Sequence, residues 1–247
     1  LRGGAAYLGG DNNLVTSSQF INNSLNSTQS NHQGGALFFN GDFNTITGNT
    51  FQGNLVSLIN TAHGAAAYLM SNHNTITNNL FTGNTATAVT AGSYGGALVV
   101  NGFGNTLTRN TFSGNTSTGT NSYAGAVSLG NNNTLVYNLF TTNAATRGGA
   151  IFSNGTTATV NHNQFVSNTG TNGNNLFYGA AGTLNFTNNY WGGATSGQTA
   201  MGICDGSNTG GSCATSSGTI DASGAVATPW PLCKTAPSDP DCVGANF

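Results

Sequence analysis

One short motif recurs along most of the chain and limits its fold more than any other feature of the sequence. Each copy is a phenylalanine followed three residues later by an asparagine, as in FQGN, FTGN and FSGN. Successive copies are 31, 30, 31, 28 and 25 residues apart. A period of this length is typical of solenoids, in which each repeat forms one coil and buries its apolar side against its neighbours. The motif begins at Phe20, Phe51, Phe81, Phe112, Phe140 and Phe165.

Two other segments recur within each period and indicate short strands. A small-residue segment such as GGALFF or GGALVV comes first, and a segment such as NTIT follows it. The alternation in Thr45-Ile46-Thr47 has a period of two residues, which indicates a strand rather than a helix. Three short strands per period, followed by a loop of variable length, predict an all-β parallel β-helix of about seven coils over residues 1–193.

Stacked coils would place equivalent residues directly above one another, about 4.8 Å apart. We therefore expect the six phenylalanine rings to form an interior ladder, with Trp191 replacing phenylalanine in the last full coil. An asparagine in a turn tolerates a left-handed backbone, and its amide can bond to both neighbouring coils, so we interpret the recurrent asparagines as structural. One ladder lies two residues before each phenylalanine, at Asn49, Asn79, Asn110, Asn138 and Asn163, and a second lies three residues after it, at Asn23, Asn54, Asn84, Asn115, Asn143 and Asn168.

All four cysteines lie near the C-terminus, in the segment 194–247, where the repeat pattern is lost. They form two closely spaced pairs that each enclose eight residues, which favours local disulfides and an oxidising, extracellular environment over a zinc site. We therefore expect a disulfide-bearing cap; pairing within each couple is the simplest of three possible connectivities. The residues are Cys204, Cys213, Cys233 and Cys242.

The composition excludes several classes of function. Charged residues make up 4% of the chain, glutamate is absent, and the formal net charge is −2. Nucleic-acid binding requires clustered lysine and arginine, so no nucleic-acid partner is expected. No apolar run is long enough for a helix that spans a membrane, so no transmembrane segment is expected either.

The combination of GGA[ILV] with FxxN resembles the repeats of the polymorphic outer-membrane proteins, which are surface-exposed bacterial adhesins. This resemblance covers about residues 3–193 and implies a right-handed parallel β-helix in a secreted or surface-displayed bacterial protein. The segments Asn188-Asn189-Tyr190-Trp191-Gly192 and Thr228-Pro229-Trp230-Pro231-Leu232 are similar to the endings of many secreted bacterial β-helix proteins.

Few residues have the chemistry of a catalytic or metal site. Asp11 and Asp42 lie at equivalent repeat positions, but later coils have no matching acid, so we interpret both as turn-capping residues. The histidines, His32, His63, His73 and His162, occupy different repeat positions and are interpreted as isolated surface residues. The sequence therefore predicts that the chain is not an enzyme and has no catalytic residue, cofactor or metal site. Cleavage or binding of polysaccharide on the β-helix is retained as an alternative function.

A threonine array supports a second alternative function. Outward threonines in three consecutive coils would form two parallel ranks of hydroxyl and methyl groups, as in ice-binding solenoids, although threonine is also a good strand former on a solvated face. The array consists of Thr45, Thr47, Thr75, Thr77, Thr106 and Thr108.

The preferred hypothesis is a non-catalytic, extracellular or cell-surface protein with a structural or adhesive role. The variable loops after FxxN are uncharged and suit a surface glycan, a protein receptor or another copy of the chain. The chain begins inside a repeat at Gly3, so the expected bare sheet edge could add strands from another copy and build fibres or a surface layer.

Overall fold

A computed structural model describes residues 2–28, 32–194, 201–205 and 218–227. These residues form strands and turns and no helix, and their strands pair in parallel between successive coils. The predicted parallel β-helix is confirmed. Among the described residues about six coils are complete instead of the predicted seven, because those beyond residue 194 add strands to only two of the four sheets. The handedness of the coil stays a prediction. Within the described residues, no helix is long and apolar enough to cross a membrane.

Sheets I and II each contain eight parallel strands, which correspond to the predicted GGA and NTIT segments. Sheet I is formed by Ala6–Leu8, Leu37–Phe39, Ala67–Leu69, Leu98–Val100, Val127–Leu129, Ile151–Ser153, Leu176–Tyr178 and Ile203–Cys204. Sheet II is formed by Leu14–Thr16, Thr45–Thr47, Thr75–Thr77, Thr106–Thr108, Thr134–Val136, Thr159–Asn161, Thr183–Asn185 and Thr219–Asp221.

Sheets III and IV each contain six strands. Sheet III carries the phenylalanine motif and is formed by Gln19–Ile21, Thr50–Gln52, Leu80–Thr82, Thr111–Ser113, Leu139–Thr141 and Gln164–Val166. Sheet IV is formed by Ser24–Ser27, His32–Gln33, Leu55–Leu58, Ala62–His63, Thr85–Tyr94 and Thr116–Tyr123.

The prediction that a loop follows each FxxN motif is wrong for several coils, because strands of sheet IV lie there. Two of the predicted loops, NTATAVTAGSY and NTSTGTNSY, contain the longest strands of the described residues, and these two strands pair with each other. The third, NTGTNGNN, forms only isolated bridges to the preceding coil. Coils shorten from 31 to 25 residues along the chain, and the shorter coils reach the next corner without a fourth strand.

In most coils, three of the four corners share one local design: a residue in the left-handed conformation followed by a ladder asparagine. Arg109, for example, has φ 55° and precedes Asn110. A left-handed conformation costs about 1–2 kcal/mol for a residue with a side chain, so the following asparagine must offset strain as well as bond the coils. In the fourth corner the same conformation falls on Gly34, and a Cβ on the adjacent Gly35 would collide with the carbonyl oxygen of Ala65. The recurrent Gly-Gly pair follows from these two requirements.

The predicted asparagine ladders are present. The backbone N–H and the Nδ2 of Asn110 both donate to Oδ1 of Asn138, at 2.9 and 3.0 Å, and Nδ2 also donates to the carbonyl of Ile76 at 2.9 Å. A member inside the ladder, such as Asn110, therefore connects three coils. A third ladder, which the sequence analysis did not identify, precedes the strands of sheet II and consists of Asn13, Asn44, Asn74, Asn105 and Asn133.

The predicted phenylalanine ladder is also present and ends on Trp191. Its adjacent ring centroids are 4.5–5.0 Å apart and its interplanar angles do not exceed 9°. Rings from Phe51 to Phe165 are buried, so the ladder forms the centre of the interior together with the aliphatic residues of sheets I and II.

The predicted cap is only partly within the described residues. Cys204 is buried and disulfide-bonded, whereas Cys213, Cys233 and Cys242 lie outside the described part of the chain. Cys204 belongs to the last strand of sheet I, and Thr219–Asp221 extends sheet II. The coil stack therefore continues into the segment that the sequence assigned to the tail.

Candidate functional site: an aromatic groove between sheets IV and I

The chain turns inward where sheet IV ends and sheet I begins, and side chains on the two sides of this corner face each other. On the sheet I side, Leu37 and Phe39 pack in the interior, while Phe38, between them, belongs to a separate outer cluster with Tyr68 and Val99. On the other side, Tyr94, which directly precedes the pair Gly95-Gly96, packs against this cluster. A second row of aromatic contacts therefore lies outside sheet I.

The aromatic contacts of this corner are close and extend over several coils. The ring of His63 stacks on Tyr94 at 5.2 Å between centroids, and Tyr94 stacks on Tyr123 at 4.8 Å with an interplanar angle of 2°. Tyr123 contacts Phe152 at 4.6 Å, and Phe152 contacts Phe177 at 6.0 Å. Offset stacking of this kind stabilises each ring by about 0.5–1.5 kcal/mol beyond burial, so the aromatic faces are held in fixed positions.

Between these rings the corner opens into a groove with two lobes. The first lobe has a volume of about 290 Å³ and exists because Val99 and Ser128 occupy positions that Tyr68 and Phe152 fill in the flanking coils. The second lobe has a volume of about 400 Å³ and is lined by Tyr123, Arg147 and Phe177, among others. Tyr94, Phe152 and Asn154 line both lobes, so the two are adjacent.

The groove is apolar on its faces and weakly basic at one end. Burial lowers the pKa of His63 from 6.5 to about 4, so this ring is neutral at neutral pH. Burial, together with the neighbouring Tyr123, raises the pKa of Tyr94, although Arg147 opposes this shift. Burial likewise raises the pKa of Tyr68. Among the described residues that line either lobe there is no aspartate, and Arg147 carries the only full positive charge at neutral pH.

This combination of groups suits a ligand that presents both C–H faces and hydroxyl groups. Tyrosine and phenylalanine faces attract C–H groups, while the amides of Asn101 and Asn154 and the hydroxyl of Ser128 offer hydrogen-bond donors and acceptors. Concave apolar sites with a few fixed polar groups are the usual form of small-ligand sites.

The predicted threonine array has the expected register but lies on another face. Thr75 pairs with Thr45 and Thr106 in the coils on either side, and Thr77 pairs with Thr47 and Thr108. The first rank continues through Thr134 and Thr159, whereas the second changes to Val136 and Asn161. The side chains of the array belong to sheet II, so they are separate from the groove between sheets IV and I.

The two candidate acids, Asp11 and Asp42, occupy consecutive coils, as the repeat predicted. Oδ1 of Asp11 accepts a hydrogen bond from the backbone N–H of Asp42 at 2.7 Å, and Oδ1 of Asp42 accepts one from Asn72 at 2.7 Å. In the next coil Asn72 accepts from Phe103 in the same way. These acids therefore act as members of a short turn ladder.

The interpretation of all histidines as isolated surface residues is wrong for His63. Its ring stacks on the ring of Tyr94 and contacts the ring of Tyr68 edge-on, with 5.7 Å between the centroids of His63 and Tyr68. Both contacts form at the corner between sheets IV and I. His73 stacks on Phe43, and His162 contacts Tyr137, both at other corners. No cluster of three residues suited to a metal ion occurs in the described ranges.

The sequence contains one signal for the groove that the sequence analysis did not use. An aromatic or histidine residue directly precedes the small-residue pair in three consecutive coils, at His63, Tyr94 and Tyr123. Because the pair is a sharp corner, a large residue before it must lie beside the outward residue of the following strand. The third asparagine ladder, which was not predicted, had a similar signal: an asparagine directly precedes each of the first five strands of sheet II.

Comparisons with known proteins found no matching family model, no matching curated protein and no matching solved structure. The resemblance to polymorphic outer-membrane proteins therefore stays a prediction from the repeat motif.

Proposed function

We propose that this chain is a non-catalytic, extracellular or cell-surface adhesive solenoid that binds a glycan in the aromatic groove. The observation that carries the proposal is the fixed row of aromatic faces at His63, Tyr94 and Tyr123, beside a cavity with amide and hydroxyl groups. Adhesion through glycans requires a rigid display of such faces, and the coil stack with its three asparagine ladders supplies the rigidity.

Several other features support this proposal. The low charge of the chain matches a hydroxyl-rich glycan better than a nucleic acid or a membrane surface. The disulfide at Cys204 suits an oxidising environment outside the cytoplasm. The aspartates of the described residues lie away from the groove lining, which favours binding over acid–base cleavage of the glycan.

A panel of immobilised glycans, neutral and acidic, tests the proposal. We expect binding by the native chain, a loss of binding for Tyr94→Ala, and retention for Tyr137→Ala, which removes an aromatic ring at a different corner. Analysis of the soluble products after incubation tests the absence of cleavage. Failure to bind any member of the panel, or equal binding by the two variants, would contradict the proposed function.

Self-assembly into fibres or a layer is a separate part of the hypothesis. Its test is electron microscopy of the native material. Regular end-to-end contacts between copies would support it, and single particles at high protein concentration would contradict it.

Ice binding remains a second candidate because of one specific observation, the threonine register of sheet II. Two threonines per coil align over three consecutive coils, and a flat, regular array of this type is what an ice face requires. The test is thermal hysteresis. The ice-binding hypothesis expects activity that Thr75→Lys abolishes and Tyr94→Ala leaves intact, whereas glycan adhesion expects no hysteresis in the native chain.

A further inference from the structure

We infer that the second lobe of the groove binds the carboxylate of an acidic sugar residue, a uronic or sialic acid, through Arg147. The inference rests on the proposed function and adds the chemical class of the glycan. It depends on three observations: the position of the guanidinium, the neutrality of its partners and the aromatic faces beside it.

The guanidinium of Arg147 is held in place by groups of the groove itself. Its central carbon lies 5.0 Å from the ring centroid of Tyr123 and 5.9 Å from that of Phe177. Nη1 donates to the hydroxyl of Tyr123 at 2.7 Å and to Oδ1 of Asn121 at 3.1 Å. A guanidinium has five N–H donors, so these contacts fix its position and leave donors for a ligand.

The polar partners of Arg147 in the described part of the chain are both neutral. Its positive charge is therefore not compensated by a carboxylate in the lining of the lobe. The other described arginines do not line either lobe: Arg2 lies over Phe38, at the N-terminal end of the same corner, and Arg109 lies over Tyr137 at another corner. The low overall charge of the chain makes this single cation the dominant local electrostatic feature of the lobe.

The surroundings of Arg147 favour a carboxylate attached to a sugar ring. Arginine forms planar, paired hydrogen bonds with carboxylates, and such charge-assisted bonds are about twice as strong as neutral ones. The ring of the same sugar would lie against Tyr123, Phe152 or Phe177, which line the lobe around the guanidinium. Because the first lobe is adjacent to this one and shares Phe152 and Asn154 with it, a neighbouring neutral sugar would occupy the space beside Val99 and Ser128.

The test compares acidic glycans with their neutral methyl esters. Oligomers that carry uronic or sialic acid are immobilised beside the same oligomers with every carboxylate esterified, which removes the charge and keeps the sugar ring. We expect the native chain to bind one or more acidic members about 10- to 100-fold more tightly than their esters. Added salt should reduce this preference.

Two substitutions and a matched control assign the preference to Arg147. Arg147→Gln should abolish the preference for the acid over its ester, and Arg147→Lys should retain part of it. Arg109→Gln removes the same charge at another corner and should leave the preference intact. Thermal unfolding of each variant, with a midpoint close to that of the native chain, establishes that the variants are folded.

The possible failures are distinguishable. Equal binding of acids and esters would overturn the role of Arg147 and leave the proposed glycan-binding function standing. An acid preference that survives in Arg147→Gln would also overturn the inference. Absence of binding to every glycan of the panel would overturn the proposed function and the inference together.

Discussion

Removal of one ladder amide, in Asn110→Ala, should destabilise the solenoid by about 4 kcal/mol. The side chain of Asn110 takes part in four hydrogen bonds: Nδ2 donates to Ile76 and to Asn138, and Oδ1 accepts from the backbone N–H and the Nδ2 of Asn79. At about 1 kcal/mol for each buried hydrogen bond, and with the backbone N–H of Asn79 left without its acceptor, the expected loss is about 4 kcal/mol. The free energy of unfolding of a folded domain is typically about 5–15 kcal/mol, so this loss would be a large part of the total.

Denaturant unfolding of the native chain, Asn110→Ala and Thr108→Ala measures this difference. Thr108 is a half-buried residue of the neighbouring strand, and its substitution should change the free energy of unfolding by no more than about 0.5 kcal/mol. Asn110→Asp provides a second check, because the carboxylate keeps the acceptor but cannot donate to Ile76. We expect it to be less stable at neutral pH than at a pH at which the carboxyl is protonated. A loss for Asn110→Ala as small as that for Thr108→Ala would refute the ladder argument.

Three other substitutions or conditions test the remaining parts of the structure. Phe112→Ala removes a buried ring from the middle of the interior ladder and should lower the free energy of unfolding by about 3–5 kcal/mol in the same denaturant assay, more than Phe43→Ala at an exposed corner. Burial lowers the pKa of His63 from 6.5 in the unfolded chain to about 4 in the folded state, so protonation of this ring favours unfolding. The stabilisation is fully present above pH 6.5, and the free energy of unfolding should decrease by up to roughly 3 kcal/mol as the pH falls from 6.5 through 4. His63→Phe should remove that slope, and an unchanged slope would contradict the burial of His63. Gly35→Ala should reduce the yield of folded protein, because its Cβ would collide with the carbonyl of Ala65, whereas Gly9→Ala, near the flexible end of the Tyr7 side chain, should be tolerated.

The sequence predicted the parts of the fold that depend on a regular period. The phenylalanine ladder and the strands of sheets I, II and III follow from the alternation around residues such as Ile46 and Phe51, because stacking equivalent residues is the only way for short coils to bury them. The sequence also placed Asp11 and Asp42 in consecutive coils.

Sheet IV was missed because its residues lack that alternation of large apolar and polar side chains. Thr85–Tyr94 alternates threonine with alanine at its start, and its length differs from that of the equivalent segment in every other coil. It forms a strand because it pairs with Thr116–Tyr123 in the next coil. This pairing depends on the neighbouring coil and cannot be predicted from the sequence of the segment alone.

The groove depends on contacts between different coils and could not be predicted from one period. Tyr94 and Phe152 are 58 residues apart, and they meet because Val99 and Ser128 leave space between them. The contact that helps to bury His63 also comes from another coil, through the ring of Tyr94. The repeat motif identifies residues that recur in every coil. This site forms where the repeat changes, because Val99 and Ser128 take the position of Tyr68 in the next two coils.

Nuclear magnetic resonance of the tyrosine rings during titration with the tightest-binding glycan of the panel tests the central claim most directly. If the groove between sheets IV and I is the binding site, the ring signals of Tyr94 and Tyr123 should shift together and saturate at the same glycan concentration, while those of Tyr137 stay in place. Shifts at Tyr137 or at the threonines of sheet II, with Tyr94 and Tyr123 unmoved, would contradict the assignment of the groove as the glycan-binding site.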